Sequence, residues 1–132
     1  MPTIFSKIIS GEIPSYKVAE NEDFLAFLDI NPNSIGHTLC IPKKEIDYIL
    51  DLDENTFKEL MKFSRKVALS IDKVIDCERV SLSVIGLEVP HVHVHLIPIK
   101  KMSDANFTKK VSMNDNQFKQ TASLISDAFK SI

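Results

Sequence analysis

The chain sets one long amphipathic stretch among several short apolar runs, and this pattern predicts its elements. Residues 54–75 carry the clearest period: Phe57, Leu60, Met61, Ser64, Val67, Ala68, Ile71, Val74 and Ile75 recur at helical spacing on one face. Asp53 stands in the capping position, with Glu54 behind it in the first turn. A second helix is predicted over 115–131, where Phe118, Ala122, Ile125, Phe129 and Ile132 form a stripe. Asn114 and Gln117 have the spacing of a capping box at its start. Residues 3–9 predict one or two helical turns, stopped by Gly11 and Pro14. Strands are predicted at 16–20 and 24–28, separated by the turn residues Asn21, Glu22 and Asp23. Further strands are predicted at 37–41, ended by Pro42, at 79–87, ending near Gly86, and at 91–99. Residues 31–34 read as a loop and 101–113 as a polar, irregular segment. Two hairpin-like pairs, a central helix and a C-terminal helix predict an α+β fold with a mainly antiparallel sheet, occupying residues 1–132 as one domain.

Composition narrows the class of partner. A chain of 132 residues can bury a core without disulfides or a structural metal. With 44% apolar and 26% charged residues it reads as globular rather than disordered. A net charge of −2 argues against a nucleic acid polymer as partner, since such binding uses a basic surface. A small phosphorylated ligand stays open. The opening MPTIFSKIISGEIP is too polar for a signal peptide, and no apolar run approaches the ~18 residues of a membrane span. No membrane partner and a cytoplasmic location are therefore expected. Cys40 and Cys77 have no paired spacing and read as free thiols in a reducing compartment.

The chemistry concentrates in HVHVHLIPI, residues 91–99, which holds three of the four histidines. On a strand, residues two apart share a face, so His91, His93 and His95 stand together and Val92, Val94 and Leu96 face the core. Buried imidazoles need hydrogen-bond partners, so three in a row cost stability unless they serve a site. The ordinary alternative is a solvated strand face. Two chemistries can use such a face. Two of these histidines with His37 could hold a metal ion, whereas all three could not without bending a strand on which the outer pair stands ~13–14 Å apart. Alternatively, a neutral imidazole can attack phosphorus near neutral pH while its neighbours, ~7 Å away, flank the phosphate.

The segment His91-Val92-His93-Val94-His95-Leu96-Ile97 resembles, at every position, the signature of the histidine triad (HIT) family, in which histidines alternate with apolar residues. Two upstream segments carry the same resemblance: TIFSKIISGEIPS near the N-terminus and FLAFLDINPNSIGHTLCIPKKEI over 24–46. The chain is most similar to the Hint-type branch of nucleotide hydrolases. The resemblance implies that His93 is a nucleophile for the α-phosphorus of a nucleotide conjugate. The product would be a covalent nucleotidyl-histidine, which water converts to a nucleoside monophosphate such as AMP. His95 would assist near the scissile bond, with His91 and His37 in the supporting network. Asp29, beside Ile30, would bind the ribose hydroxyls, and Phe5, Ile8 and Phe27 would line the base pocket. The resemblance further implies a small-molecule nucleotide substrate, no cofactor, no required metal, and a homodimer with one sheet continued across both subunits.

The chain departs from that pattern just before the triad. Leu87 stands where Hint-type proteins usually carry glutamine, Glu88 replaces a small hydroxylic residue, and no asparagine occurs in VSLSVI at 80–85. Strand alternation, if it extended this far, would turn Glu88 away from the histidine face. Two other readings stay open at this point: a nucleotide-binding or partner-binding protein with weak catalysis, and a metal-binding protein using two triad histidines with His37.

Overall fold

A computed structural model describes residues 2–132. The chain folds as an α+β structure around a five-stranded antiparallel sheet. Helix α1 spans Ile4–Ile9, followed by strands β1 (Lys17–Glu20), β2 (Phe24–Leu28) and β3 (Thr38–Pro42). Helix α2 (Glu54–Val74) leads to β4 (Arg79–Ser83) and β5 (Val94–Ile99), and α3 (Asp115–Ser131) closes the chain. Short 3₁₀ turns lie at Ile49–Asp51 and Met102–Ala105. The strand order is β1-β2-β3-β5-β4, so β1 and β4 form the edges and β3 and β5 pair at the centre.

The element ends follow local chemistry. The Asp53 carboxylate accepts from the Thr56 N–H and caps α2. Asn114 and Gln117 form a reciprocal capping box on α3. The β1–β2 turn is held by the Asn21 side chain, which accepts from the N–H groups of Asp23 and Phe24.

Strand alternation divides the interior in two. Phe24, Ala26 and Leu28 of β2, Cys40 of β3, and Val94 and Leu96 of β5 face α2 and α3. There they meet Leu60, Val67, Ile71 and Ile125, all fully buried. Each such side chain contributes about 1.5–3 kcal/mol through removal from water. The opposite sheet face carries Leu25, Phe27, Leu39 and Ile41 against Phe5 of α1. Strand β2 is buried on both faces, which explains its unbroken run FLAFL. His95 pairs with Leu39, which pairs in turn with Phe27, so the last triad histidine lies on the α1 face.

Three sequence expectations need correction. The strand predicted over 91–99 starts only at Val94: Pro90 cannot join a ladder, and the His91 N–H bonds to the Val89 carbonyl in a turn. The run predicted as strand over 79–87 ends at Ser83, so no alternation governs residues 84–90. Phe57 and Ile132, placed on apolar helix faces, are 37% and 49% exposed because they sit in the terminal turns, beyond the reach of the sheet.

Candidate active site

A cleft of about 490 Å³ opens on the α1 face of the sheet. That volume suits a small organic ligand. One wall is apolar and includes Phe5, Ile8 and Phe27, with Ile30 (71% exposed) at the rim. Asp29 lies beyond the end of β2, and His93 and His95 form part of the floor. Glu88 also lines this cleft. The expectation that alternation turns it away fails, since residue 88 lies in an irregular segment rather than a strand.

The histidines do not stand as one row. His93 and His95 lie edge to face with ring centroids 4.9 Å apart, closer than the pitch of a flat strand suggests. His91 is fully buried, does not line the cleft, and packs against Phe5, which also touches His93. His37 is likewise buried behind His95. Gly36 places it there. Its φ of +98° turns the chain into β3, and a Cβ would come within 3.1 Å of Ile75 and 3.2 Å of Pro98.

Hydrogen bonds fix the tautomer of each imidazole. The His37 Nδ1 accepts from the main-chain N–H of Asn33 at 3.0 Å, so its proton sits on Nε2. That proton is donated to His95 Nδ1 at 3.0 Å, and neutral His95 therefore carries its own proton on Nε2. His93 donates from Nδ1 to the His91 carbonyl at 2.7 Å, which leaves a lone pair on Nε2. His91 donates from Nε2 to the Pro42 carbonyl at 2.8 Å and accepts at Nδ1 from the Thr3 hydroxyl. Thr3 also caps α1, and the Glu45 carboxylate accepts from the Thr3 N–H and the Ser6 hydroxyl. The start of α1 is thus tied to the first triad histidine. The result is an unprotonated Nε2 on His93 beside an N–H donor on His95.

Burial sets the charge states. It pushes His37 down to about 3, with positive neighbours adding to the effect. Burial, then the charge of His93, pushes His95 down to about 4. His91 is lowered mainly by burial, and Asp29 is raised mainly by burial. His37 and His95 are therefore neutral near pH 7.

The HIT domain matches residues 10–102. The chain belongs to the HIT family. It is 35% identical over 132 aligned residues to a HIT-like protein of Borreliella burgdorferi, covering 93% of this chain and 95% of that one. An adenosine 5′-monophosphoramidase of Schizosaccharomyces pombe is 37% identical over 103 residues, 74% of each chain. Among solved structures, a HIT-like protein from Bartonella henselae superposes with a TM-score of 0.83 at 31% identity, covering 96% of this chain and 95% of the other.

The donor set does not suit a resident metal. Asp29, His37 and His95 each place one ligand atom within 4.8 Å of the others. Yet His37 Nε2 carries a proton, because Nδ1 already accepts the Asn33 N–H. Coordination through Nε2 would put the proton on Nδ1 and set two N–H groups against each other. The cluster reads as a hydrogen-bond relay, which weakens the metal reading drawn from sequence.

Sequence reasoning missed several residues around the histidines. Thr3 and Glu45 hold His91, and Asn33 holds His37. Phe107 packs on His95 at 4.8 Å between centroids and reaches His37 at 6.2 Å. A lone phenylalanine in a polar segment was the available signal for Phe107. Nothing in the sequence marked Thr3 beyond its place at the start of the helical turns predicted over 3–9.

Depressed histidines give a stability prediction with a definite sign. Unfolded, His37 and His95 titrate near 6.5. Folded, they stay neutral to about 3 and 4. The unfolded chain then binds more protons, so their contribution is present above pH 6.5 and is lost as pH falls. Between about pH 6.5 and 4.5, each removes at most about 1.4 kcal/mol per pH unit. Raised Asp29 opposes this in part. Urea unfolding at both pH values checks it, and His37→Gln is expected to flatten the slope.

Proposed function

We propose that the protein is a nucleotide-conjugate hydrolase of the Hint-type branch that works through a covalent nucleotidyl-histidine. One observation carries this reading: the His93 Nδ1–H bond to the His91 carbonyl leaves the Nε2 lone pair for the cleft, next to the Nε2–H of His95. Phe5, Ile8 and Phe27 offer an apolar wall for a base, and Asp29, beside Ile30, offers a carboxylate for ribose hydroxyls. The family relatives that are adenosine monophosphoramidases support a purine nucleotide as substrate.

In this mechanism His93 Nε2 bonds to the α-phosphorus as the bond to the leaving group breaks. The His91 carbonyl holds the imidazolium that forms. His95 hydrogen-bonds the departing atom through Nε2–H, and His37 fixes that tautomer. The leaving group takes its proton from water at the open mouth of the cleft. Water then cleaves the phosphorus–nitrogen bond, releasing a nucleoside monophosphate and free His93. No step uses a metal or another cofactor.

The reading includes a homodimer. Strand β4 is a sheet edge, and Leu82 and Ile85 beside it are each 50% exposed. A second copy adding its own edge strand would cover both. Cys40 and Cys77 are unpaired thiols, which suits a cytoplasmic location, and no helix among the described residues is long and apolar enough to cross a membrane.

The test is turnover of an adenosine phosphoramidate by untagged, chelator-treated protein. Release of AMP is expected. AMP binding without turnover of phosphoramidates, acyl adenylates or dinucleoside polyphosphates would instead favour the binding-protein reading.

A further inference from the structure

A nucleotide entering this cleft brings negative charge into a site that has little to offset it. Asp29 and Glu88 line the cleft as carboxylates. His37 and His95 contribute no positive charge near neutral pH, because burial keeps both unprotonated. Among the described residues lining the cleft there is no arginine, and Lys110 is the one lysine. It comes from the polar segment after β5, outside the triad signature and the upstream segments that resemble the family.

The ammonium of Lys110 is held in place. Its Nζ donates to Asn33 Oδ1 at 2.8 Å, and Asn33 is only 1% exposed. The Asn33 amide is oriented from both ends, since its Nδ2 donates to the Asp104 carbonyl at 3.2 Å. Lys110 Nζ also lies 5.1 Å from the centroid of Phe107, the ring packed on His95. Main-chain bonding adds a further tie, from the Val111 N–H to the Pro32 carbonyl. An ammonium has three donors. Asn33 takes one and the Phe107 face can take a second, which leaves one for a ligand in the cleft. The charge acts on Asp29, His37 and His95.

We propose that Lys110 is the phosphate-binding cation of this site, holding a non-bridging oxygen of the nucleotide's phosphate while His93 and His95 act on the phosphorus. The inference rests on the nucleotide reading above and assigns a residue to it. Lys110 sets where the anion sits. A charge-assisted hydrogen bond of this kind is worth about 10–100-fold in affinity.

A role confined to bracing the segment against Asn33 and Phe107 would affect every ligand of the cleft. A phosphate contact would affect only those with a phosphate. The experiment therefore measures AMP and adenosine binding by calorimetry for wild type, Lys110→Met and Lys110→Arg. The expected result is that Lys110→Met weakens AMP about 10–100-fold, leaves adenosine within about twofold, and is largely rescued in Lys110→Arg. Unchanged AMP affinity in Lys110→Met would overturn the proposal, and so would equal losses for AMP and adenosine. Failure of wild type to bind either ligand would instead overturn the nucleotide reading on which the inference rests.

Discussion

His93→Ala is expected to lower turnover of a nucleotide conjugate by at least about 10⁴-fold while leaving AMP binding close to that of wild type. The size follows from chemistry. Loss of a covalent nucleophile removes the route itself, and what persists comes from binding and the remaining donors. Selectivity for turnover follows from geometry. His93 touches Phe5 and His95 through its ring edge and bonds the His91 carbonyl, but the apolar wall and Asp29 come from α1 and β2. Those groups stay in place when the ring is removed. Steady-state release of AMP and calorimetric AMP binding read the two halves of the prediction separately. A variant that lost both together would indicate that the ring is a structural element of the cleft.

His95→Asn is expected to lower kcat by about 10²–10³-fold, the usual cost of removing one preorganised donor from a phosphoryl or acyl transfer site. The two chemical steps should not suffer equally. Nucleotidyl transfer loses the donor to its departing atom but keeps its tethered nucleophile. Hydrolysis loses the same donor beside the phosphorus and has only an untethered water as its nucleophile. The nucleotidyl-enzyme, transient in wild type, should therefore accumulate in this variant. Asparagine Oδ1 can still accept the His37 Nε2–H in place of His95 Nδ1, so the buried proton of His37 keeps a partner. What is lost is the ring's packing on Phe107, so a stability loss of about 0.5–2 kcal/mol is expected alongside the kinetic effect, and urea unfolding measures it.

Much of the fold was legible in the sequence where local chemistry decides the outcome. The bounds of α2 and α3 followed from period and caps, because Asp53, Asn114 and Gln117 act within a few residues of themselves. The strand β2 followed from its apolar run. The misreadings share one cause. Periodicity assumes that an element continues, and Pro90 and the turn at Val89 end it before the first two histidines. The flat-strand spacing of the triad and the outward orientation of Glu88 both failed for that reason.

The candidate site was legible as a set of residue types but not as an arrangement. His37 beside His95 needed only the pairing of β3 with β5, which brings together residues far apart in the chain. That His91 lies behind Phe5 while His93 faces the cleft depended on how α1 packs on the sheet. Asn33, Phe107 and Lys110 sit in irregular segments whose positions come from tertiary contacts, so no periodic signal marks them. The direction of every proton in the relay rests on the main-chain N–H of Asn33, a group no side-chain pattern reveals.

The measurement that bears most directly on the central claim is intact-protein mass spectrometry after rapid mixing with an adenosine phosphoramidate, for wild type, His93→Ala and His95→Asn. The account predicts an adduct of one AMP unit that is transient in wild type, persistent in His95→Asn and absent in His93→Ala. AMP release by wild type with no adduct in any variant, or an adduct that survives His93→Ala, would contradict it.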